Sequence, residues 1–383
     1  MNATEDDLSG WDHATSDHSV VDASKPAIYV TKSFVPPIEE FTVQLQKIWK
    51  SHVLTNNGPI HRELEEILRA RFDVPHLSLF ANGTLALQLA LRALGVKGKV
   101  ITTPYSYVAT TSAILWERCE PVYVDIRPDT LCIDPELIEA AITPDTTAIL
   151  ATHVYGIPCD VESIEAIAKK HGLKVIYDAA HAFDVQFKQR SILSWGDASI
   201  LSFHATKLFH TVEGGAVILT DTSFERDLRL MRSFGHYGDD HYMLGMNAKM
   251  SELHAAMGLS LLPYLDQIRE QRKAITEQYD EAFVGSDINR PVLPEALRYN
   301  YSYYPVMLKD HATREQVLTR MMEKGVNTRR YFFPSLNELP YVPYVAMPVS
   351  ENMARRMLCL PLYPGLSEED VDRVIDSFNA SLR

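Results

Sequence analysis

The chain is poor in cysteine, in basic charge and in long apolar runs. It has four cysteines in 383 residues, at positions 119, 132, 159 and 359. No two form a CxxC pair, and none stands at zinc-like spacing from a histidine. That excludes a disulfide framework and a Cys/His metal finger, and no metal site is expected. Buried free thiols of a reducing compartment are the expected reading. Lysine and arginine number 37 against 50 aspartates and glutamates, a net charge of −13. Such a surface does not suit general binding to nucleic acid or to an anionic membrane. It leaves room for an anionic small molecule in a locally positive pocket. No apolar stretch reaches the roughly 18 residues that a bilayer span needs. The first 25 residues are acidic and polar, with no basic n-region and no apolar h-region. Residues 1–25 are therefore expected to be a mobile tail rather than a secretory signal, and the expected location is cytoplasmic. Internal repeats and low-complexity tracts are also missing.

What the chain does have is alternation. Its hydrophobic content of 46% and charged content of 23% are those of a globular protein. From residue 60 onward, segments with helical spacing alternate with short, nearly all-apolar strands. "IHRELEEILRARF", "GTLALQLALRALG", "YVATTSAILWE", "PELIEAAI" and "DVESIEAIAKKHG" read as helices. "HLSLF", "KVITT", "EPVYVDI", "TAILATHV", "KVIYDAA" and "ASILSF" read as strands. Apolar strands between helices predict a mostly parallel sheet covered on both faces, with ligands beyond the carboxyl ends of the strands. After about residue 250 the pattern changes to a long helical stretch, broken near Pro263, followed by shorter elements. The expected organisation is a large α/β domain over 26–264 and a smaller α+β domain over 265–383. Residues 26–59 hold few long elements and are expected to pack on the smaller domain.

One lysine stands out. Lys207 lies in "SFHATKLFHTVEGGA", between two apolar runs and beside Ser202 and His204. A lysine held near a buried pocket has a depressed amine pKa and attacks carbonyls. Pyridoxal 5'-phosphate is the obvious carbonyl partner. Its phosphate needs backbone N–H groups at a helix start, and Gly83 and Thr84 open a helix straight after a strand. Its ring nitrogen needs a carboxylate, and Asp178 ends the strand "KVIYD", followed by small Ala179 and Ala180. His181 is placed to reach the ring oxygen. Tyr105 and Tyr107, after another strand, each offer an aromatic face, or belong to the core. The order of these elements along the chain is more specific than any one of them.

These motifs resemble the DegT/DnrJ/EryC1/StrS family of nucleotide-sugar aminotransferases. The likeness runs through "TNNGP", "NGTLAL", "PYSYVAT", "HVYGIPCD", "YDAAHAF", "SFHATK", "EGGA", "GMNAKMSELHAAMG" and "LCLPLYP". The resemblance implies the aspartate-aminotransferase type of fold, PLP fold type I. It implies that Lys207 holds the cofactor covalently, Asp178 meets the ring nitrogen and His181 sits near the ring oxygen. Tyr107 would stack on the ring, with Gly83, Thr84 and Ser202 on the phosphate. It further implies that Asn247 reaches the phosphate of a neighbouring subunit, so that a homodimer shares its sites. Within the family the closest look is to transaminases making dTDP-4-amino-4,6-dideoxyglucose. L-Glutamate and a nucleotide-linked keto-sugar are then the expected substrates. Transfer to C3 of the sugar is the enzymatic alternative. A regulator of the same fold is the non-catalytic one, although no basic or helix-turn-helix module is visible for it. A dehydratase of this fold would carry histidine in place of Lys207. Many family members have asparagine where Phe209 stands, so no polar role is expected there.

Overall fold

A computed structural model describes residues 26–383. The tail expected over residues 1–25 lies outside the described residues.

The centre of the molecule is a seven-stranded sheet. Its strands are β1 (His76–Phe80), β2 (Lys99–Thr102), β3 (Glu120–Tyr123), β4 (Thr146–Thr152), β5 (Lys174–Asp178), β6 (Ala198–Ser202) and β7 (Gly215–Leu219). They lie in the order β1-β7-β6-β5-β4-β2-β3. All neighbours are parallel except β7, which runs antiparallel to both β1 and β6. Every residue of β1 and β7 is buried, as are most of β4, β5 and β6. That burial is why these segments are almost wholly apolar.

The predicted helices form. They are α2 (Pro59–Arg71), α3 (Gly83–Ala93), α4 (Val108–Trp116), α5 (Pro135–Ala141) and α6 (Val161–His171), followed by α7 (Glu225–Arg232). Asp160 caps α6 through the Ser163 N–H, and Gly172 ends it in the left-handed conformation. The long stretch after residue 250 breaks as predicted. Helix α8 (Glu252–Leu261) passes through a 3-10 turn at Leu262–Tyr264 into α9 (Leu265–Ala282).

One expectation fails. Residues 26–59 contain a 14-residue helix, α1 (Ile38–Ser51). Its apolar residues Ile38, Phe41, Leu45, Ile48 and Trp49 recur at helical spacing on one stripe, with Val43 off it. Ile48 is fully buried, whereas Ile38, Val43 and Trp49 are exposed. The helical period is therefore present in the sequence, and the expectation of few long elements overlooked it. The helix packs on α8, beside the sheet, and not on the C-terminal elements. Only the strand-like residues before it reach those. Ile28 bridges Val326, and the Leu362 N–H donates to the Val30 carbonyl at 3.1 Å.

A second core lies toward the C-terminus. It is built on the antiparallel pair β8 (Tyr304–Met307) and β9 (Met357–Leu360). Helices α10 (His311–Glu323) and α12 (Glu368–Leu382) pack there, and α11 (Pro348–Arg356) leads into β9. Helix α9 serves both cores. Leu265 and Ile268 join the sheet's core, while Ile275 and Tyr279 join the C-terminal one.

Strand register sets the site. Phe80 pairs with Gly215, and Gly215 pairs with Ser202. Ile200 pairs with Asp178, and Asp178 with Thr152. The ends of β1, β4, β5 and β6 and the start of the reversed β7 therefore share one edge. The "EGGA" turn must press close to make this possible. A Cβ on Gly215 would lie 2.8 Å from both the Asn82 carbonyl carbon and the Gly83 nitrogen. No side chain fits between those backbones.

Candidate active site

A cavity of about 580 Å³ opens at this edge. That volume falls within the ~300–1,000 Å³ of ordinary ligand sites. Of the eight residues singled out from the sequence, Gly83, Thr84, Tyr107, Asp178, His181, Ser202 and Lys207 all line it.

The anion end comes from the turn after β1. Asn82 is extended, and its Oδ1 accepts the Leu85 N–H at 2.9 Å. Its carbonyl accepts the Ala86 N–H at 3.2 Å. The Gly83 and Thr84 N–H groups precede the first intrahelical bond and sit at the positive end of the helix. Ser202 closes against them, because a Cβ on Gly83 would lie 3.2 Å from the Ser202 Cβ. Such an end suits a phosphate.

Asp178 ends β5 and is 5% exposed. Its Oδ2 accepts from Thr110 Oγ1 at 2.8 Å, and its Oδ1 accepts from the Ala180 N–H at 3.1 Å. Burial pushes its pKa up, against those two donors and the Lys207 charge. Thr110 belongs to a chain of hydroxyls. Thr152 donates to Ser106 at 3.0 Å, and Ser106 and Thr110 share a bond of 2.7 Å.

Lys207 sits on the loop joining β6 to β7, its N–H donating to the His204 carbonyl at 2.9 Å. Burial pushes its amine pKa down, opposed by Tyr331, Asp178 and Tyr107. The neutral amine, the form that attacks carbonyls, is thereby favoured. His181 is buried, and its Nδ1 accepts the Tyr155 N–H at 3.1 Å. Burial, and then the Lys207 charge, hold its pKa well below the usual histidine value. A neutral imidazole whose Nδ1 accepts carries its proton on Nε2 and can donate from there.

The structure separates the two tyrosines. Tyr105 is fully buried, with its hydroxyl on the Tyr155 hydroxyl at 2.9 Å and the Tyr331 carbonyl at 3.0 Å. Tyr107 is 56% exposed and faces the cavity. Phe209 is core, 4.8 Å from the Phe183 ring and 5.0 Å from the Phe203 ring. Asn247 is not brought into the cavity of its own chain. It is exposed, and its Oδ1 accepts from Lys249 Nζ at 2.7 Å.

Several lining residues escaped the sequence reading: Ser106, Thr152, Tyr331 and Phe332. They come from other strand ends and from a segment far along the chain, with no local pattern to mark them. Arg329 also lines the cavity, a cation suited to an anionic substrate. Two other basic residues are engaged elsewhere. Arg330 meets Glu315 at 3.5 Å, and Lys249 meets Asn247.

An anion-binding helix start, a buried carboxylate and a half-buried amine around one cavity fit a flat phosphorylated aldehyde such as pyridoxal phosphate. The fold and this cavity thus define the class, a pyridoxal-phosphate-dependent enzyme. A family model confirms it over residues 37–379, and the chain belongs to the DegT/DnrJ/EryC1/StrS aminotransferase family. It is 41% identical over 360 residues to the dTDP-4-amino-4,6-dideoxy-D-glucose transaminase of Escherichia coli, covering 91% of this chain and 96% of that one. The solved structure of DesI in the presence of its TDP-sugar product matches with a TM-score of 0.89 at 33% identity, over 94% of each chain. NtdA from Bacillus subtilis, solved with bound cofactor PMP, matches with a TM-score of 0.83 at 28% identity, over 90% of this chain and 82% of that one.

The hydroxyl chain yields a pH prediction. In the role the resemblance implies, Asp178 acts as a carboxylate, a form lost as pH falls through its pKa. Thr110→Val removes a donor to the ionised form, a bond worth about 1.5–3 kcal/mol. The Asp178 pKa then rises further, and the acidic limb of the turnover–pH profile moves to higher pH. An unmoved limb contradicts the support given to Asp178 by Thr110.

Proposed function

We propose that the chain moves an amino group from L-glutamate to the 4-keto carbon of a dTDP-4-keto-6-deoxyhexose. The products are 2-oxoglutarate and a dTDP-4-amino-4,6-dideoxyhexose, of the glucose configuration. The observation that carries the reading is the shared cavity of Lys207, Asp178 and the Gly83–Thr84 helix start. The sugar follows from the likeness to relatives that act on that class of substrate.

Pyridoxal phosphate, when bound, supplies a carbonyl open to amines and an electron-withdrawing ring. The protein's residues supply the rest. Gly83, Thr84 and Ser202 take the phosphate. Asp178 keeps a proton on the ring nitrogen by offering a carboxylate to it. Tyr107 covers a ring face, and His181 offers its Nε2–H to the ring oxygen. Lys207 is first the nucleophile that holds the cofactor. Once free, its amine takes the proton from the α-carbon of glutamate and later returns one, as general base and acid. Arg329, a cation on the cavity wall, is suited to an anionic substrate.

The assembly belongs to the same reading. A homodimer covers the exposed apolar residues of α1, Ile38, Val43 and Trp49, together with Leu54, Val212 and Leu253. Such a group of exposed apolar residues is unusual on a free surface. Asn247 then serves the phosphate of the neighbouring subunit. The enzyme is placed in the cytoplasm, where nucleotide sugars are made. Among the described residues no helix is long and apolar enough to cross a membrane.

Product analysis tests the reaction. The protein is incubated with pyridoxal phosphate, glutamate and a panel of nucleotide keto-sugars, and the products are read by mass and NMR. An amine at C4 of a dTDP-linked 6-deoxyhexose is expected. An amine at C3, or no amine with any sugar, contradicts the assignment.

Subunit mixing tests Asn247. Lys207→Ala and Asn247→Asp chains are each poor alone. In a heterodimer with shared sites, one site carries both lesions and the other neither. Random mixing gives about half heterodimers, so roughly a quarter of wild-type activity should return. If Asn247 serves its own chain, no activity above the parents' mean appears, with subunit exchange verified by mass spectrometry.

A further inference from the structure

The Lys207 amine is not loose in the cavity. Its Nζ donates to the hydroxyl of Tyr303 at 3.2 Å. Tyr303 lies just before β8, 96 residues along the chain. The phenol ring is packed on three sides. Its centroid is 4.6 Å from His181, 5.4 Å from Tyr331 and 5.7 Å from Tyr155. A ring held this way presents its oxygen in one place.

We propose that Tyr303 is the positioning residue for the Lys207 amine, holding its nitrogen on the cavity wall and accepting its N–H when it carries a proton. The proposal rests on the reading of Lys207 given under Proposed function. It adds a residue that no motif of the chain points to.

The chemistry favours a phenol at this place. The amine must be neutral to attack a carbonyl or take a proton, and cationic after taking one. A carboxylate in contact would hold it permanently as ammonium. An apolar side chain would leave the ammonium without a partner in a buried site. A neutral phenol does neither. Its oxygen accepts from the ammonium, and its O–H donates to the lone pair of the neutral amine. Burial keeps this phenol protonated, with its pKa raised above the usual value and the Cys359 thiol adding to the rise. Arg272 and Arg329 oppose it. The other groups facing the amine are Asp178, Tyr331, Tyr107 and Arg329. The His181 ring lies against the phenol. Of these, Asp178 is tied to Thr110 and the Ala180 N–H.

The direction of the effect follows. A hydrogen bond from a charged donor is stronger than one from a neutral donor. Tyr303 therefore favours the ammonium relative to a site without it. Removing the hydroxyl lowers the amine pKa further, while leaving the ammonium formed in turnover unsupported.

The test uses Tyr303→Phe, which keeps the ring and its packing. Cofactor-free protein is mixed with pyridoxal phosphate across a pH series, and the capture rate is followed by the visible absorbance that develops. Lys207→Ala must show no capture. If it does, the reading of Lys207 fails and this proposal with it. With that control in place, Tyr303→Phe should still capture the cofactor, with the midpoint of its rate–pH curve moved to lower pH. Its kcat should fall about tenfold or more, in line with weakened acid–base work, with the KM for glutamate within about twofold. Tyr299→Phe is the second variant. Its hydroxyl bonds the Tyr155 carbonyl at 2.8 Å, away from Lys207. It should leave the midpoint in place. A Tyr303→Phe midpoint and kcat equal to wild type overturn the proposal. So does an equal shift in Tyr299→Phe, because the cause would then be general packing.

Discussion

Burial of two opposite charges at one sheet edge is the constraint on which the site depends. Asp178 and Lys207 are both taken largely out of water, a penalty of several kcal/mol per ion when unpaired. Burial pushes each toward its neutral form, raising the carboxyl pKa and lowering that of the amine. The site treats the two differently. Asp178 receives two hydrogen bonds and a chain of hydroxyls behind Thr110, all favouring its charge. Lys207 receives only a phenol, which tolerates either state. Asp178 thus has donors that favour its charge, while the partner of Lys207 serves either protonation state.

The sheet supplies the geometry for this. Strand β7 runs against its neighbours, so the loop that carries Lys207 leaves and re-enters the sheet at the same edge as Asp178. Two glycines bring the strands together there. Gly215 lies against the backbone of Asn82 and Gly83, which links the lysine loop to the helix start through main chain alone. The cavity wall is completed by Tyr331 and Phe332, and Tyr303 stands behind Lys207. Lys207 is thus met by residues from far along the chain that pack on the sheet's core.

Much of this was legible in the chain. Apolar strands bounded by capped helices are read easily, because buried parallel strands leave no polar alternation to confuse. Lys207, Asp178 and the Gly83–Thr84 turn were legible because each follows a strand end, where ligands bind. The choice between Tyr105 and Tyr107 was not. Both occupy one short loop, and which ring turns inward is decided by Tyr155 and the Tyr331 carbonyl, contributed from far along the chain. Thr110 and Tyr303 left no signal for the same reason. Helix α1 was missed although its apolar residues keep a helical period; what the sequence does not show is that part of that stripe faces outward. Asn247 had no local pattern, and its own chain's cavity does not include it.

The central claim is that the Lys207 amine holds the cofactor. The most direct measurement is borohydride reduction of the cofactor-loaded protein, followed by peptide mapping. Reduction fixes the pyridoxyl group wherever an amine has captured it. The account predicts one modified peptide, the one spanning "ILSFHATKLFH", with the added mass on Lys207. A pyridoxyl group on any other lysine, or none on the chain, would contradict it.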